Sequence, residues 1–288
     1  MDILVRILCM LIGYGFGCIS VSYIYGKARG IDVREHGSGN AGTTNTLRVM
    51  GRKAGAIVLA GDMLKTWIAI LVSWLIFHWF FPDMDYLLKI YTAAGAILGH
   101  DYPFYMKFKG GKGIACSGAM ILSFYWGIIP GEVVIFFGIF FLTHYVSLAS
   151  IFMYIGFLVQ LVLFGQTGFL GMTQPALIEL YIVVAFLTAL ALYQHRQNIV
   201  RLVKGEEKAI YLKKTKKDMD DISLDENPND GTKTHEIVAD VVEAMKDKTE
   251  EMAEEVKETV EEAVGEIKET VEEVVEEIKE KAEDSKED

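Results

Sequence analysis

Residues 35–48 (EHGSGNAGTTNTLR) concentrate groups that bind phosphate in one short segment. Glycines let the backbone turn its N–H groups toward one centre, hydroxyl and amide side chains add donors, and Arg48 adds a positive charge. The predicted substrate contacts here are Gly37, Ser38, Gly39, Asn40, Gly42, Thr44, Asn45 and Arg48. The pattern G-x-G-x-x-G also fits, but a dinucleotide site needs a preceding strand, and an apolar segment precedes this one. A flexible polar linker is the remaining alternative.

Residues 107–113 (KFKGGKG) form a second candidate anion site. The pair Gly110 and Gly111 allows the chain to pass close to an anion. Lys112 precedes an apolar segment whose helix would direct its N-terminal amides the same way, and Gly113 completes the predicted loop. Lysines at the ends of membrane helices also serve as plain anchors, so this loop alone does not establish a site.

Residues 193–198 (YQHRQN) supply a third candidate segment. His195 and Asn198 are three residues apart, so on a helix they share a face and can contact one substrate. A single histidine at a membrane interface more often has no such role. Taken together, the three segments predict a site for phosphorylated, anionic substrates.

Long apolar blocks connect these segments and indicate a membrane protein. Hydrophobic residues are 51% of the 288-residue chain, gathered in runs near the ~20 residues that a helix needs to cross ~30 Å of hydrocarbon. We predict an all-α, polytopic membrane fold with seven transmembrane helices. The predicted spans lie near residues 3–25, 56–81, 87–105, 114–129, 131–147, 149–165 and 176–193. The divisions near Pro130 and Ser147 are the least distinct, so six or eight spans are the alternatives.

The distribution of charge predicts the orientation of the spans. Lysine and arginine cluster in the loops after the first, third and seventh spans, and such residues favour the cytoplasmic side. Asp83 and Asp85 follow the second span instead. The N-terminus is therefore predicted outside and the C-terminus inside, with all three phosphate-binding segments facing the cytoplasm. Cys9, Cys18 and Cys116 have neither disulfide nor metal spacing, and we expect no metal and no cofactor.

The C-terminal part of the chain differs sharply in composition. Residues 1–217 carry 20 basic and 11 acidic groups, whereas residues 218–288 carry 8 and 28. We predict a membrane domain at 1–214, a linker at 215–235 and an acidic helical or coiled-coil-like tail at 236–288. The tail contains an eleven-residue repeat, VKETVEEAVGE then IKETVEEVVEE, which favours either a solvated helix or a coil that self-associates or binds a protein partner.

The three motifs resemble the signature segments of a known family. GSGNAGTTN at 37–45 with Arg48, KGGKGIA at 109–115 and HRQN at 195–198 are similar to those of the bacterial acyl-phosphate:glycerol-3-phosphate acyltransferases (PlsY family). The likeness covers about residues 3–205. It implies a seven-helix enzyme of the bacterial cell membrane with its active site toward the cytoplasm. Such an enzyme acylates the 1-hydroxyl of glycerol 3-phosphate from acyl phosphate, among membrane lipids and without a nucleic-acid partner.

The resemblance also implies roles for individual residues. Ser38, Arg48 and Lys112 would hold phosphate groups, and Thr44 with the glycine-rich backbone would complete a phosphate hole. His195 and Asn198 would contact glycerol 3-phosphate, and Ser150 matches a further phosphate contact. The sequence departs from the family's usual pattern at Thr43, at Cys116 and in the acidic tail.

The expected chemistry needs no covalent enzyme intermediate, because an acyl phosphate already carries a good leaving group. We expect the substrate phosphate to take the hydroxyl proton, as proposed for the family, with His195 as general base the alternative. A membrane carrier for phosphorylated anions is the functional alternative, since basic glycine-rich loops could also form the entrance to a transport path. We place no lysine or arginine in the middle of a span, which argues against a carrier.

Overall fold

Residues 2–210 are described by a computed structural model, in which they form nine α-helices and no β-strand. The helices are α1 (Ile3–Cys18), α2 (Val21–Lys27), α3 (Thr43–Phe77), α4 (Asp85–Asp101), α5 (Ile114–Leu122), α6 (Ile129–Thr143), α7 (Val146–Gln166), α8 (Gln174–Gln194) and α9 (Arg196–Val203). Short 3-10 turns occupy Pro82–Met84, Phe104–Met106 and Trp126–Ile128. The all-helical prediction is confirmed for this part of the chain. The predicted linker 215–235 and tail 236–288 lie outside the described residues.

Five helical segments within residues 2–210 are long and apolar enough to cross a membrane. They are Ile3–Lys27, Thr43–Phe77, Trp126–Thr143, Val146–Gln166 and Gln174–Gln194. The predicted span at 114–129 is wrong in length, because α5 ends at Leu122 after nine residues. Nine residues of helix rise only ~13 Å, less than half the thickness of the hydrocarbon core. The count of seven spans stays a prediction.

The helices α1 and α4 pack with their backbones in contact. Gly13 and Gly17 on α1 face Gly95 and Gly99 on α4, and the members of each pair share a helix face because they are four residues apart. A Cβ atom added at Gly13 or Gly95 would lie 1.9 Å or 2.0 Å from a backbone carbonyl oxygen of the facing helix. Small residues at this spacing are the usual device for close packing of membrane helices.

A buried polar cluster lies where α1, α3 and α4 meet. Lys65 Nζ donates hydrogen bonds to the carbonyl oxygens of Gly17 (3.0 Å) and Ile19 (2.7 Å), which are free because α1 ends at this point. The same ammonium lies 2.9 Å from Asp62 Oδ1 and 3.0 Å from His100 Nδ1. Lys65 is the tenth residue of the predicted span 56–81 and is buried among three helices, which contradicts our expectation that no lysine or arginine lies in the middle of a span. The cation is stable there because its partners replace water.

A break at Gly51 divides α3 into two parts. Gly51 has φ 86° and ψ −177° inside the helix, a backbone conformation that glycine adopts without steric strain. The eight residues before it, 43–50, form a short arm that carries Asn45 and Arg48. The break lets this arm turn from the direction of the long helix and bring Arg48 to the site described below.

Candidate active site

The loop before α3 is held in shape by one asparagine. Asn45 Oδ1 accepts a hydrogen bond from the Ser38 amide (2.8 Å), and Asn45 Nδ2 donates to the carbonyl oxygens of Val33 (2.8 Å) and His36 (3.0 Å). Asn45 is 1% exposed. The Asn45 amide group forms three hydrogen bonds with the loop backbone, so Asn45 is a positioning residue. Its predicted contact with substrate stays a prediction.

The loop at 107–113 is attached to the end of α4. Gly110 N donates to Asp101 O, and Gly111 N donates to His100 O, both at 3.0 Å. The amide of Ala41 donates to Gly110 O at 3.3 Å, which joins this loop to the segment before α3. Two of the three motifs found in the sequence are therefore in direct contact, and Lys112 is placed by α4 through this loop.

Five glycines predicted to bind substrate are not among the residues that line the cavity described next. They are Gly37, Gly39, Gly110, Gly111 and Gly113. Their backbone conformation and the space around them explain why glycine occupies these positions. Gly37, Gly39 and Gly113 have positive φ angles of 63°, 70° and 69°. A Cβ atom at Gly111 would lie 1.9 Å from the buried His100 ring. These residues shape the loops, and direct contact with substrate stays a prediction for them.

One cavity of about 410 Å³ brings the three motifs together. Of the residues predicted from sequence, those lining it are Ser38, Asn40, Gly42, Thr44, Asn45, Arg48, Lys112, Ser150, His195 and Asn198. They come from the loop before α3, from α3, the loop before α5, α7, the end of α8 and α9. This polar end of the cavity therefore gathers cations, hydroxyls and amides from segments that are distant in the sequence.

Three further residues belong to this polar end and were missed by sequence reasoning. Glu207 Oε1 accepts hydrogen bonds from Asn198 Nδ2 (2.7 Å) and Ser147 Oγ (2.9 Å), while Glu207 Oε2 lies 2.7 Å from Arg201 Nε. Burial opposes ionisation of Glu207, but the hydrogen bonds from these donors prevail and lower its pKa. Arg201 could have been found, because it lies three residues after Asn198 on the same face of α9. No motif or spacing in the sequence indicates that Ser147 or Glu207 belongs to the site.

The segment that follows α9 forms hydrogen bonds with residues of α3 and of the turn between α6 and α7. Arg48 Nη2 donates to Lys208 O at 3.1 Å, and Ile210 N donates to His144 O at 2.9 Å. The side chain of Ile210 is buried in a cluster with Phe140. This segment therefore fixes both the guanidinium of Arg48 and the carboxylate beside Asn198.

Lys112 is a partly buried cation that lines the polar end of the cavity. Its Nζ donates to Asn198 Oδ1. Burial lowers the pKa of Lys112 to about 8, and the positive charge of Arg201 adds to this effect. The ammonium thus lacks a full set of counter-charges, and an anionic phosphate would supply them.

His195 is uncharged at neutral pH. Burial, followed by the positive charge of Lys112, lowers the pKa of His195 to about 4. Its Nδ1 lies 2.8 Å from Ala191 O, and because a carbonyl oxygen only accepts, Nδ1 carries the proton. In this tautomer Nε2 is a hydrogen-bond acceptor, suited to receive a hydroxyl group in the cavity.

Comparison with known proteins places the chain in a family. The model of the family described as glycerol-3-phosphate acyltransferase matches residues 7–205. The chain belongs to this family. A glycerol-3-phosphate acyltransferase of Bacillus velezensis is 37% identical over 204 residues, which are 70% of this chain and 96% of that protein. One from Thermoanaerobacter sp. is 36% identical over 208 residues, 70% and 93% of the two chains.

Solved structures show the same fold in this acyltransferase family. PlsY (YgiH), an integral membrane glycerol 3-phosphate acyltransferase in its glycerol 3-phosphate form, matches with a TM-score of 0.62 and 30% identity, covering 72% of this chain and 96% of that one. Its lysophosphatidic acid form matches with a TM-score of 0.60. The resemblance seen in the three motifs is thus confirmed, and the chain is an integral membrane member of the family.

Proposed function

We propose that this acyltransferase transfers an acyl group from acyl phosphate to the 1-hydroxyl of glycerol 3-phosphate, giving 1-acylglycerol 3-phosphate and inorganic phosphate. The observation that carries the proposal is one cavity with a cationic polar end and an apolar continuation. The two forms of the solved relative, with glycerol 3-phosphate and with lysophosphatidic acid, support the acceptor and the product.

The apolar continuation suits the donor's hydrocarbon chain. Helices α5 and α6 contribute apolar side chains to it, and we name this part of the cavity the acyl groove. Its walls include Ile114, Ile121 and Leu122 on α5 and Ile129, Val133 and Phe136 on α6. Each methylene group taken from water into such a groove contributes about 0.8 kcal/mol. A long chain joined to a phosphate matches both ends of the cavity.

The reaction joins the hydroxyl oxygen of glycerol 3-phosphate to the acyl carbonyl carbon. The bond between that carbon and the donor's phosphate oxygen breaks, and the hydroxyl proton ends on phosphate. Both substrates are anions that repel each other, and Arg48, Lys112 and Arg201 offset this repulsion because all three line the cavity. Catalysis then rests on holding the reactants in position and on stabilising the charge of the leaving phosphate.

The state of His195 bears on the route of the proton. With a pKa of about 4, His195 is a weaker base than a phosphate group, whose second pKa is about 6. The substrate phosphate is therefore the better proton acceptor. His195 Nε2 accepts a hydrogen bond from the glycerol hydroxyl and orients it, and this replaces the alternative role as general base.

The proposal includes a place and an orientation in the cell. The protein lies in a bacterial cell membrane with seven spans, the N-terminus outside and the polar end of the cavity toward the cytoplasm. The distribution of cations supports this, since the loops at 27–34 and 107–112 and the segment 196–204 are basic and basic loops favour the cytoplasmic side. Both substrates then reach the site without crossing the membrane.

The experiment that tests the function uses the purified full-length chain in detergent with palmitoyl phosphate and glycerol 3-phosphate. We expect release of inorganic phosphate that requires both substrates, together with formation of 1-acylglycerol 3-phosphate. Palmitoyl-coenzyme A serves as the control donor and is expected to give no product. Well-folded protein that releases no phosphate, yet carries glycerol 3-phosphate into vesicles, would instead support the carrier alternative.

The pKa of Lys112 predicts how activity depends on pH. Because this pKa is about 8 in the free protein and the charged ammonium binds phosphate, kcat/KM for glycerol 3-phosphate should fall above that pH. The fall approaches about tenfold per pH unit, as expected for loss of one proton from the free enzyme. Lys112→Arg should remove this alkaline decline, since a guanidinium stays charged. An unchanged decline in the arginine variant would assign it to another group.

A further inference from the structure

The ring of His100 lies between a buried ion pair and the loop that carries Lys112. His100 is the last residue but one of α4 and is 4% exposed. Its Nδ1 lies 3.0 Å from Lys65 Nζ and 3.5 Å from Asp62 Oδ1. Both partners are on α3 and are at most 1% exposed. The ring is therefore held on this side by charged groups that are themselves fixed by packing.

The other edge of the ring packs against Gly111. A Cβ atom added at Gly111 would lie 1.9 Å from Nε2, 2.7 Å from Cδ2 and 2.9 Å from Cε1 of His100. These three atoms are the nearest to that Cβ position, and all belong to the ring. Gly111 N also donates to His100 O at 3.0 Å. The next residue is Lys112, so His100 contacts the loop immediately before a cation that lines the cavity.

The ring explains why glycine occupies position 111. Gly111 does not have the positive φ angle that Gly113 has, so its backbone would accept alanine. A flexible side chain would move away from the added methyl group, but the His100 ring is fixed through Nδ1 on its opposite side. The glycine and the ring therefore form a fitted pair.

Stability alone does not explain why ionisable groups are buried here. Replacing a buried ion pair by well-packed apolar residues is often neutral or stabilising. An apolar contact does not fix the rotation of an imidazole ring, whereas the contact of Nδ1 with Lys65 does. Asp62 and His100 also line the same cavity as Lys112. The buried cluster is thus connected to the candidate active site both by the loop and by the cavity wall.

We propose that His100 positions Lys112 for substrate binding by packing against Gly111. Asp62 and Lys65 act one step further away, because they orient the His100 ring. The inference rests on the proposed role of Lys112 in binding substrate phosphate. His100 is then a positioning residue, since it acts through Lys112. Loss of the ring gives the loop room to move, and the Lys112 ammonium leaves its partly buried place.

The first test measures a pH profile in a variant that keeps the contact with Lys65. In His100→Asn the amide oxygen can accept from the Lys65 ammonium as Nδ1 does, while Nε2 and Cε1 beside Gly111 are absent. We expect kcat/KM for glycerol 3-phosphate to fall about tenfold at pH 7, because Lys112 is misplaced. A less buried Lys112 keeps its proton to higher pH. The alkaline decline should therefore begin about one pH unit above the wild-type value of about 8.

A loss of stability would not produce this shift, since fewer folded molecules lower kcat/KM at every pH. The substitution alters none of the charged groups around Lys112, which are Arg48, Asp101, Arg201 and Glu207. Binding of glycerol 3-phosphate alone, measured by calorimetry, should show the same shift without an acyl donor. An alkaline decline at the wild-type position in folded His100→Asn protein would overturn the proposal.

The second test asks whether the ring and the glycine form a fitted pair. Gly111→Ala puts a methyl group into the space of the ring and should lower kcat/KM about a hundredfold, as a displacement of ~1 Å can. His100→Ala removes the ring and should cost about tenfold by itself. In the double variant the methyl group has room, so the loss should stay near about tenfold. Independent effects would multiply to about a thousandfold, and that result would contradict the proposal.

Gly138→Ala is the matched control for the added methyl group. A Cβ atom at Gly138 has nothing within 4 Å, and Gly138 does not line the cavity. This variant should keep the wild-type kcat/KM and pH profile.

The two proposals fail in different ways. Wild-type protein that is folded but inactive with palmitoyl phosphate and glycerol 3-phosphate would contradict the proposed function. Active wild-type protein, together with independent losses in the double variant, would contradict only the role of His100.

Discussion

Replacement of Lys112 by alanine is expected to lower kcat/KM for glycerol 3-phosphate about a thousandfold, the scale seen when one preorganised charge or donor is removed from a catalytic site. Lys112 lines the cavity beside Arg48 and Arg201 and donates to Asn198. Without its ammonium the two anionic substrates of the proposed reaction lose the cation that comes from the loop before α5. The rate of phosphate release at saturating and limiting glycerol 3-phosphate measures the effect.

Lys109 provides the control for this prediction. It lies in the same loop, is exposed and does not line the cavity. Lys109→Ala should therefore keep activity within about twofold, as expected for an exposed surface charge. Equal losses in the two variants would show that the loop's overall charge matters, and not the position of Lys112. Gel filtration in detergent confirms that both variants are folded.

The largest expected effect on folding comes from Gly95→Leu. A Cβ atom at this position would lie 2.0 Å from the Met10 carbonyl oxygen, and a helix backbone cannot give way as a flexible side chain can. We expect α1 and α4 to separate, with a loss of about 3 kcal/mol in the free energy of unfolding, the upper end of the usual cost of overpacking. Thermal unfolding in detergent, followed by gel filtration, detects this loss as a lower temperature of unfolding. Activity should fall as well, because the end of α4 holds the loop that carries Lys112.

Gly138→Leu is the matched change on another helix. A Cβ atom at Gly138 in α6 has nothing within 4 Å, so the larger side chain should be accepted with little change in thermal stability. If Gly138→Leu destabilised the protein as much as Gly95→Leu, the close contact of α1 with α4 would not be the cause.

Apolar composition located several helices well. The predicted spans at 3–25, 149–165 and 176–193 correspond to Ile3–Lys27, Val146–Gln166 and Gln174–Gln194. Apolar composition located the helices wrongly where a helix contains polar residues or where an apolar segment is not helical. The helix α3 starts at Thr43, thirteen residues before the predicted span, because its first turns are polar. The helix α5 stops at Leu122 although apolar residues continue.

The candidate site was predictable to the extent that its residue types are unusual for membrane loops. Several glycines in a segment that also carries a lysine or an arginine indicated the segments around Arg48 and Lys112. Their partners were harder to find. Glu207 contacts Asn198, and Ser147 contacts Glu207, only because the folded chain brings them together, and no sequence spacing predicts these contacts. The facing glycines of α1 and α4 did carry a sequence signal, since both pairs have the form G-x-x-x-G.

The contact between Arg48 and Lys208 joins residues 160 positions apart, and this has a consequence for biosynthesis. A ribosome that has released only the first half of the chain has delivered Ser38, Arg48 and Lys112 but neither His195 nor Glu207. The proposed site is therefore complete only after α8, α9 and the segment that carries Glu207 have been made. An unfinished chain lacks part of the proposed site, so we expect it to consume no donor until synthesis has passed residue 207.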